Sequence, residues 1–499
     1  MELDRRICDR ARRSRDPRFD GKFFIAVTST KIYCRPICPA RSPKDENIRY
    51  YPTAAAAQAA GFRPCLRCRP EASPGTPAWL GTGIVSRGLR LIGDGALDRE
   101  GVDALADRLG VTARHLRRLF IQHLGATPIE VALTRRVHFA KKLIDETNLP
   151  LAQIAFAAGF GSVRRFNGEM RRTYSRTPTE LRRRSRKQIG DSDCYRFRIA
   201  YRPPYDWKAA IEFLAARATP GVEAVDANRY QRTIAIDGKS GSIAVSPADD
   251  GPALVLEVRF GDPRALLTIV ERVRRMFDIT ADPAVIAEQL SADPLFKRTL
   301  SAHAGIRTPG AWDPFELTVR AILGQQISVR GATTIAARIA ARWGTPVEGV
   351  SPLTHLFPTP AQLADAPLEE CGIISTRAAT LRALSRAVLE QQVCFESESA
   401  LTSLLAIPGI GEWTAQYVAM RALNEPDAFP SGDLVLRRMA GDLSARELDR
   451  RSESWRPWRA YAVMLLWQAA RDLDQPDRRH RNENVAHVPR HREHARISA

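Results

Sequence analysis

The chain has 499 residues, of which 44% are hydrophobic, and it carries a net charge of +19. Its length predicts about three or four domains, and its hydrophobic content excludes a disordered protein because several cores can be buried. The positive charge indicates a polyanionic partner, either nucleic acid or an anionic membrane surface. No apolar run reaches the ~18 residues of a membrane span, and the charged N-terminus lacks a signal-peptide core. We therefore expect a cytoplasmic, nucleoid-associated protein without a membrane partner.

Four of the eight cysteines cluster near the N-terminus at spacings typical of a zinc site. Three residues separate Cys34 from Cys38, and two separate Cys65 from Cys68. Four thiolates suit one tetrahedral Zn²⁺, and a segment as short as 1–75 needs a metal because its own core is thin. The cysteines by themselves favour a purely structural zinc site.

The residues around these cysteines resemble the N-terminal domain of the Ada-type methyl-responsive regulators. The match runs from Phe23 to Cys68 and includes the strings CRPIC and RPCLRC. The resemblance implies that Cys34 irreversibly accepts a methyl group from a methylphosphotriester in DNA, since a zinc-bound thiolate is nucleophilic. Methylation would remove one negative charge from the site and raise DNA affinity, so repair would act as a switch. One departure is Lys31, where the family usually has glycine.

Residues 84–187 contain two similar units, each with two helical stretches separated by a glycine turn. The turns contain Gly110 and Gly159, and we expect Thr112 and Ser162 to cap the helices that follow. Both units resemble the AraC-type DNA-binding domain, which implies that the second helix of each enters a major groove of promoter DNA. Such a regulator would act as an activator on RNA polymerase. The arginines expected to bind DNA, through phosphates more readily than bases, are Arg114, Arg117, Arg164 and Arg165.

Residues 193–305 show the pattern of an antiparallel sheet with helices on one face. Alternating residues from Tyr195 to Arg202 predict a half-buried strand, and further strands and helices follow. The segments Tyr201–Trp207 and Phe213–Ala218 resemble the N-terminal domain of the AlkA-type 3-methyladenine DNA glycosylases II. We expect this α+β domain to be a scaffold without chemistry of its own.

The segment Leu404–Arg437 is predicted to carry the chemistry of the second half. Its turn, Pro408–Gly411, lies between two helical stretches, and we expect both glycines to adopt positive φ and to leave amides free for a phosphate. This string and the following Pro/Gly-rich loop resemble the helix-hairpin-helix DNA glycosylases of the AlkA type. The residues expected to bind DNA in this motif are Gly409, Gly411 and Thr414.

The same resemblance implies a base pocket and a catalytic carboxylate. The pocket would be lined by Trp413, Tyr417 and Trp467, although core packing is the usual role of a single tryptophan. Asp433 would stabilise the oxocarbenium charge that develops when a flipped-out alkylated base leaves. Gln326 stands where the family inserts a side chain into the base stack, although the best-known member is apolar there. Otherwise its amide satisfies a helix end.

Three absences from the sequence refine this prediction. No lysine stands at the position of Trp413, where bifunctional relatives carry one, so we expect a monofunctional glycosylase that leaves an abasic site. Cys371 and Cys394 are isolated, so we expect no iron–sulfur cluster. No Pro-Cys-His-Arg motif is present, so we expect no O6-methylguanine transferase activity.

Together these patterns predict a multidomain, mainly α protein with α+β parts that responds to DNA alkylation damage as a monomer. The alternatives are a transcriptional regulator with an inactive glycosylase module, or a repair glycosylase whose zinc and helix-turn-helix modules only target it. A structural chromatin protein is the weakest alternative, since it would require neither Cys34 nor Asp433. The predicted domains are a four-cysteine zinc domain (1–75), a double helix-turn-helix domain (84–187), the α+β scaffold (193–305), an all-α helix-hairpin-helix glycosylase domain (306–475) and a basic disordered tail (476–499).

Overall fold

The computed structural model describes residues 3–75, 83–184, 194–348 and 351–485, with the side chains of the last helix given as far as residue 473. Within these ranges every helix is too short or too polar to span a lipid bilayer.

The zinc domain is built on a four-stranded sheet of order β3-β1-β2-β4. Strand β2 pairs in parallel with β4, and Tyr33 lies opposite Pro64. The next residues along each strand are Cys34 and Cys65, so this register brings the two cysteine pairs together at one end of the sheet. The elements are helices α1 (Arg5–Ser14) and α2 (Ala54–Ala59) and strands β1 (Phe24–Val27), β2 (Ile32–Cys34), β3 (Ile48–Tyr51) and β4 (Arg63–Pro64).

Two helix-turn-helix units follow, joined by one long helix, Pro128–Glu146, of about 28 Å. Both predicted caps are present, because Thr112 accepts a hydrogen bond from the amide of His115 and Ser162 accepts one from that of Arg165. The helices are α3 (Gly83–Gly93), α4 (Ala96–Arg99), α5 (Val102–Arg108), α6 (Ala113–Leu124), α7 (Pro128–Glu146), α8 (Leu151–Ala157), α9 (Val163–Tyr174) and α10 (Pro178–Arg184).

The scaffold is an antiparallel five-stranded sheet of order β5-β9-β8-β7-β6. Its core is continuous with that of the second helix-turn-helix unit: Phe160 and Phe166 belong to the same buried cluster as Phe197 and Val258. The first unit has a separate core. The elements are β5 (Tyr195–Ala200), α11 (Trp207–Ala215), β6 (Glu223–Asp226), β7 (Arg229–Ile236), β8 (Lys239–Pro247), β9 (Ala253–Phe260), α12 (Leu266–Met276), α13 (Pro283–Leu290) and α14 (Pro294–Ala302).

The last domain is helical and has two cores, and one helix, Glu412–Arg421, lies between them. Val418 belongs to one core, while Ala419 and Met420 belong to the other. This helix therefore joins the two cores. The helices are α15 (Pro314–Leu323), α16 (Val329–Trp343), α17 (Pro360–Leu363), α18 (Ser375–Leu389), α19 (Ala400–Leu405), α20 (Glu412–Arg421), α21 (Leu434–Met439), α22 (Ala445–Ser452) and α23 (Arg459–Val485).

The last helix extends beyond the predicted end of the glycosylase domain. We expected disorder from residue 476, but α23 continues through Val485. A helix nucleated by a buried stem such as Ala460–Leu466 propagates into polar sequence at little cost. Residues 486–499, the rest of the predicted tail, lie outside the described residues.

Candidate metal centre and base pocket

The four clustered cysteines form a site of the size that a zinc ion requires. The sulfur atoms of Cys34, Cys38, Cys65 and Cys68 all lie within 4.8 Å of one another. A tetrahedral zinc with bonds of about 2.3 Å separates its sulfur ligands by about 3.8 Å. Four thiols, with no other donor type among them, therefore fit Zn²⁺ in chemistry and in spacing.

Backbone amides and a buried arginine support two of these sulfurs. The amide of Arg35 donates to Sγ of Cys68 over 3.4 Å, and that of Arg67 donates to Sγ of Cys65 over 3.4 Å. The guanidinium of Arg35 is fixed by Asp20, with Nε 2.8 Å from Oδ1. Donors of this kind stabilise negative charge on metal-bound sulfur.

The cysteines differ in their access to a reaction partner. Cys65 and Cys68 are buried, whereas Cys34 and Cys38 are partly exposed. Only the first pair can therefore meet a group on DNA, and exposure alone does not choose between Cys34 and Cys38.

A buried hydrogen-bond cluster docks the strand that carries Cys34 onto α7 of the helix-turn-helix domain. Tyr33 is fully buried, and its hydroxyl lies 2.9 Å from Nε2 of His138. Gln58 donates to both groups, over 2.8 Å to Tyr33 and 3.0 Å to His138. Because Nε2 accepts here, His138 is neutral, and burial lowers its pKa to about 4. The zinc domain is thus fixed to the helix that joins the two DNA-binding units.

The four arginines expected to bind DNA are all exposed, on the second helix of each unit. Arg114 and Arg117 lie on α6, and Arg164 and Arg165 lie on α9. Arg114 and Arg117, three residues apart, share one face of α6, whereas the neighbours Arg164 and Arg165 point about 100° apart around α9. The structure therefore leaves these side chains available to a polyanion.

The hairpin turn between α19 and α20 corrects one expectation about its glycines. Gly409 has φ +93°, and a Cβ there would overlap the side chain of Thr380. Gly411 has φ −97° instead of the positive φ we expected, because it already serves as the N-cap of α20. A Cβ at Gly411 would meet no atom within 4 Å. Gly409 is thus required by backbone shape, while Gly411 leaves open the approach to the helix N-terminus.

Gln325, in the turn between α15 and α16, holds the hairpin turn. Its amide nitrogen donates to the carbonyl of Gly409 over 3.0 Å and to the hydroxyl of Thr414 over 3.0 Å. Thr414 is only 2% exposed, so its side chain braces the turn rather than reaching DNA as we expected. Gln326 is exposed with φ +58° at the tip of the α15–α16 turn.

Asp433 caps α21 and is held by four N–H groups. Its Oδ1 accepts from the amides of Val435 and Leu436, each over 3.0 Å, and from Nε1 of Trp467 over 3.3 Å. Its Oδ2 accepts from Nε1 of Trp413 over 3.0 Å. These donors fix the carboxylate at the edge of the aromatic cluster.

The three predicted pocket aromatics lie against one another. The rings of Trp413 and Tyr417 stack with centroids 5.3 Å apart and an interplanar angle of 11°. Tyr417 and Trp467 lie 6.2 Å apart at 52°. Together with Asp433, the rings form a wall on which a flat, electron-poor ring can stack.

Comparison with known proteins identifies the same four parts of the chain. Family models match the metal binding domain of Ada over residues 7–71, a helix-turn-helix domain over 105–184, the AlkA N-terminal domain over 196–313 and the HhH-GPD superfamily base excision DNA repair protein over 319–457.

A relative in Mycobacterium tuberculosis, named probable bifunctional transcriptional activator/DNA repair enzyme AlkA, is 42% identical over 481 residues, which cover 94% of this chain and 97% of the relative. The chain belongs to this bifunctional family. The match confirms the predicted combination of Ada-type, helix-turn-helix and AlkA-type domains.

Relatives of single parts agree with this family assignment. The Escherichia coli DNA-3-methyladenine glycosylase 2 is 33% identical over 54% of this chain and 96% of its own length. The E. coli bifunctional transcriptional activator/DNA repair enzyme Ada is 42% identical over 23% of this chain and 31% of its own length. The 3-methyladenine DNA-glycosylase of Archaeoglobus fulgidus superimposes with TM-score 0.50 at 23% identity, over 55% of this chain and 98% of that one, which shows a common fold.

Lys31, which departs from the Ada-type pattern, directly precedes the strand that carries Cys34. It has φ +56°, the left-handed region that favours glycine, and β2 begins at the next residue. Its amide donates to the carbonyl of Val27 over 2.9 Å, and its ammonium lies 5.4 Å from the centre of the Phe62 ring. A side chain at this φ carries a conformational cost of roughly 1–2 kcal/mol.

The AlkA-type scaffold contributes to the pocket, although we expected it to carry no chemistry. Phe213 of α11 stacks on Trp467, with centroids 6.2 Å apart and an angle of 19°. The guanidinium carbon of Arg217 lies 3.8 Å from the Phe213 ring centre and 5.9 Å from that of Trp467. The available signal was the i, i+4 spacing of Phe213 and Arg217, which lies just beyond the end of α11. Their partner lies about 250 residues away in sequence, so spacing could not identify it.

Proposed function

We propose that the second half of the chain is a DNA glycosylase that hydrolyses the N-glycosidic bond of alkylated bases such as 3-methyladenine. The observation that carries this proposal is the position of Asp433, whose carboxylate accepts hydrogen bonds from the indoles of Trp413 and Trp467. A carboxylate beside the aromatic wall lies where positive charge develops on the sugar during cleavage. The name of the E. coli relative, DNA-3-methyladenine glycosylase 2, supports the same activity.

Double-stranded DNA binds at the hairpin turn in this proposal. The open approach at Gly411 and the amides at the start of α20 suit a backbone phosphate. The damaged nucleotide leaves the stack, and Gln326, exposed at the opposite tip, fills the gap. The base then stacks on the wall formed by Trp413, Tyr417 and Trp467.

The chemistry needs no general acid for an alkylated purine, because its positive charge already makes it a good leaving group. The bond between C1′ and the ring nitrogen breaks, its electron pair stays with the base, and Asp433 stabilises the oxocarbenium ion. Water adds to C1′ and leaves an abasic site. Since tryptophan and not lysine occupies position 413, we propose a monofunctional enzyme.

The first test is release of 3-methyladenine from methylated duplex DNA by the wild type and two variants. Asp433→Asn is expected to reduce release by about 10²–10³-fold, the usual effect of losing one electrostatic contact to a transition state. Glu412→Gln, which removes an exposed carboxylate of α20, is the matched control and keeps release within about twofold. Equal losses in both variants would assign the effect to DNA binding and not to catalysis.

We propose Cys34 as the methyl acceptor of the first half. One Zn²⁺ fits Cys34, Cys38, Cys65 and Cys68, and when bound it keeps the sulfurs as thiolates at neutral pH. The sulfur of Cys34 attacks the methyl carbon of a methylphosphotriester, the carbon–oxygen bond breaks, and the phosphodiester leaves with the electron pair. The protein loses one negative charge at a DNA-facing surface, which raises its affinity for DNA.

The methylated protein would then bind promoter DNA through α6 and α9 and activate transcription by RNA polymerase, as a nucleoid-associated monomer. Mapping the methylated cysteine after reaction with methylphosphotriester DNA tests the acceptor, with Cys38 as the alternative because it is also partly exposed. Promoter affinity before and after methylation tests the switch. An unchanged affinity would reduce the first half to a targeting module.

A further inference from the structure

Two guanidinium groups, that of the buried Arg421 and that of the half-buried Arg217, lie against the aromatic rings of the base pocket. Arg421 is 4% exposed, and its Nη1 donates to the hydroxyl of Tyr417 over 2.8 Å. Its guanidinium carbon is 4.7 Å from the ring centre of Phe213 and 5.6 Å from that of Tyr417. Arg217 lies on Phe213 and reaches Trp467. Each guanidinium thus contacts two of the aromatic rings that form or support the pocket.

Neither arginine is neutralised at short range. The other contacts of Arg421 are with the backbone carbonyls of Pro309 and Gly310, and Arg217 contacts the carbonyl of Phe213. Within the described ranges of the chain, no carboxylate forms an ion pair with either side chain. By contrast, the nearby Arg320 is paired with two carboxylates. The pocket is therefore backed by two positive charges that have no ion-pair partner among the described residues.

These charges oppose the preference of an aromatic pocket for cations. A cation binds to the negative face of an aromatic ring, and these rings already interact with guanidinium groups. Like charges within several ångströms repel strongly where water is excluded. A positively charged alkylated purine gains less from this pocket than from the same rings alone.

The arginines also orient the hydroxyl of Tyr417. The hydroxyl oxygen accepts a hydrogen bond from Arg421 and interacts with Arg217. The hydroxyl hydrogen is therefore available to donate to another acceptor. Burial raises the pKa of Tyr417, but the guanidinium charges outweigh burial and lower it overall. A more acidic hydroxyl is a stronger hydrogen-bond donor to an acceptor atom on a bound base.

We propose that Arg217 and Arg421 assist the departure of neutral damaged purines by stabilising the negative charge that develops on the leaving base. When the C1′–N9 bond of a neutral base breaks, its electron pair makes the base anionic; water adds to C1′, and a proton of that water ends on the base. A cationic base leaves as a neutral molecule and needs no such help. The two arginines therefore act selectively on uncharged leaving groups. This inference rests on the proposed glycosylase activity.

The test compares single-turnover release of 7-methylguanine, a cationic base, and hypoxanthine, a neutral one, from otherwise identical duplexes. Arg217→Gln is expected to slow hypoxanthine release about tenfold or more and to leave 7-methylguanine release unchanged or faster. Arg217→Lys keeps the charge and restores most of the hypoxanthine rate. Arg421→Gln and Arg421→Lys form a second, independent pair.

Arg272→Gln is the matched control, because Arg272 also lies on an aromatic ring, 5.2 Å from the centre of Trp312, and contacts none of the three pocket aromatics. It keeps the ratio of the two release rates. Equal losses for both bases in the Arg217 and Arg421 variants would overturn the inference, as would a wild type that releases 7-methylguanine but no hypoxanthine. A wild type that releases neither base refutes the glycosylase proposal itself.

Discussion

The cysteine cluster and the base pocket are built in opposite ways. The four sulfurs come from 35 consecutive residues, Cys34 to Cys68, and one pair of parallel strands brings them together. The pocket combines α11 of the scaffold with α20, α21 and α23 of the last domain, from Phe213 to Trp467. The first site is local and needs a metal, whereas the second is assembled by the packing of two domains. The two sites are therefore expected to fail under different perturbations.

Removal of zinc should give the largest difference between the two sites, because it should abolish the function of one and leave that of the other. The segment around the cysteines has only small cores, so without metal we expect loss of methyl acceptance and unfolding of the zinc domain. Base release by the same protein should stay within about twofold. Chelation followed by both assays on one sample measures this, and addition of zinc after the chelator is the control. A parallel loss of base release would show that the pocket depends on the zinc domain.

Substitutions of the two hairpin glycines should have smaller effects, and they test how the hairpin turn supports the base pocket. Gly409→Ala should destabilise the last domain by about 2 kcal/mol or more, because φ is +93° and the new methyl group overlaps Thr380. Gly411→Ala has φ −97° and open space, so the fold should keep its stability. Both variants should bind abasic-site duplex DNA more weakly. Thermal unfolding and DNA titration of the pair distinguish the two roles, and similar unfolding temperatures would contradict this assignment.

His138 qualifies this comparison, because through it the zinc domain depends on α7 of the helix-turn-helix domain. Its folded pKa of about 4 lies below the ordinary value of about 6.5, so its contribution to stability is complete above pH 6.5 and is lost as the pH falls towards 4. Between pH 7.5 and 5, the wild type should lose about 1–2 kcal/mol relative to His138→Gln, which does not titrate. Unfolding of both proteins at each pH, with zinc in excess, measures the difference. A constant difference would show that the ring is not buried in solution.

The same contrast explains how far the sequence could predict the molecule. All four cysteines were identified because their ligand spacing is itself the signal, and the helix-turn-helix caps at Thr112 and Ser162 depend only on neighbouring residues. Resemblance placed Asp433 and the three pocket aromatics on the correct elements. It did not identify Arg217, since an arginine just after the end of a helix resembles a solvated charge until its packing partner is known.

The smaller differences between the predictions and the structure have the same physical origin. The φ of Gly411 follows from where α20 begins, and the burial of Thr414 follows from Gln325, which lies 89 residues away. The extension of α23 to Val485 follows from its buried stem. Each depends on tertiary contacts that local patterns do not contain.

The core shared by the second helix-turn-helix unit and the scaffold has a consequence for synthesis of the protein. The buried cluster runs from the second unit to Trp312, so the unit that ends at Leu181 lacks its packing partners until about 130 further residues have been made. At roughly 5–20 residues per second, this delay on the ribosome is on the order of 10 s. The first unit has its own core and can fold earlier. The half that would read promoters thus becomes complete only after translation has entered the half that would repair bases.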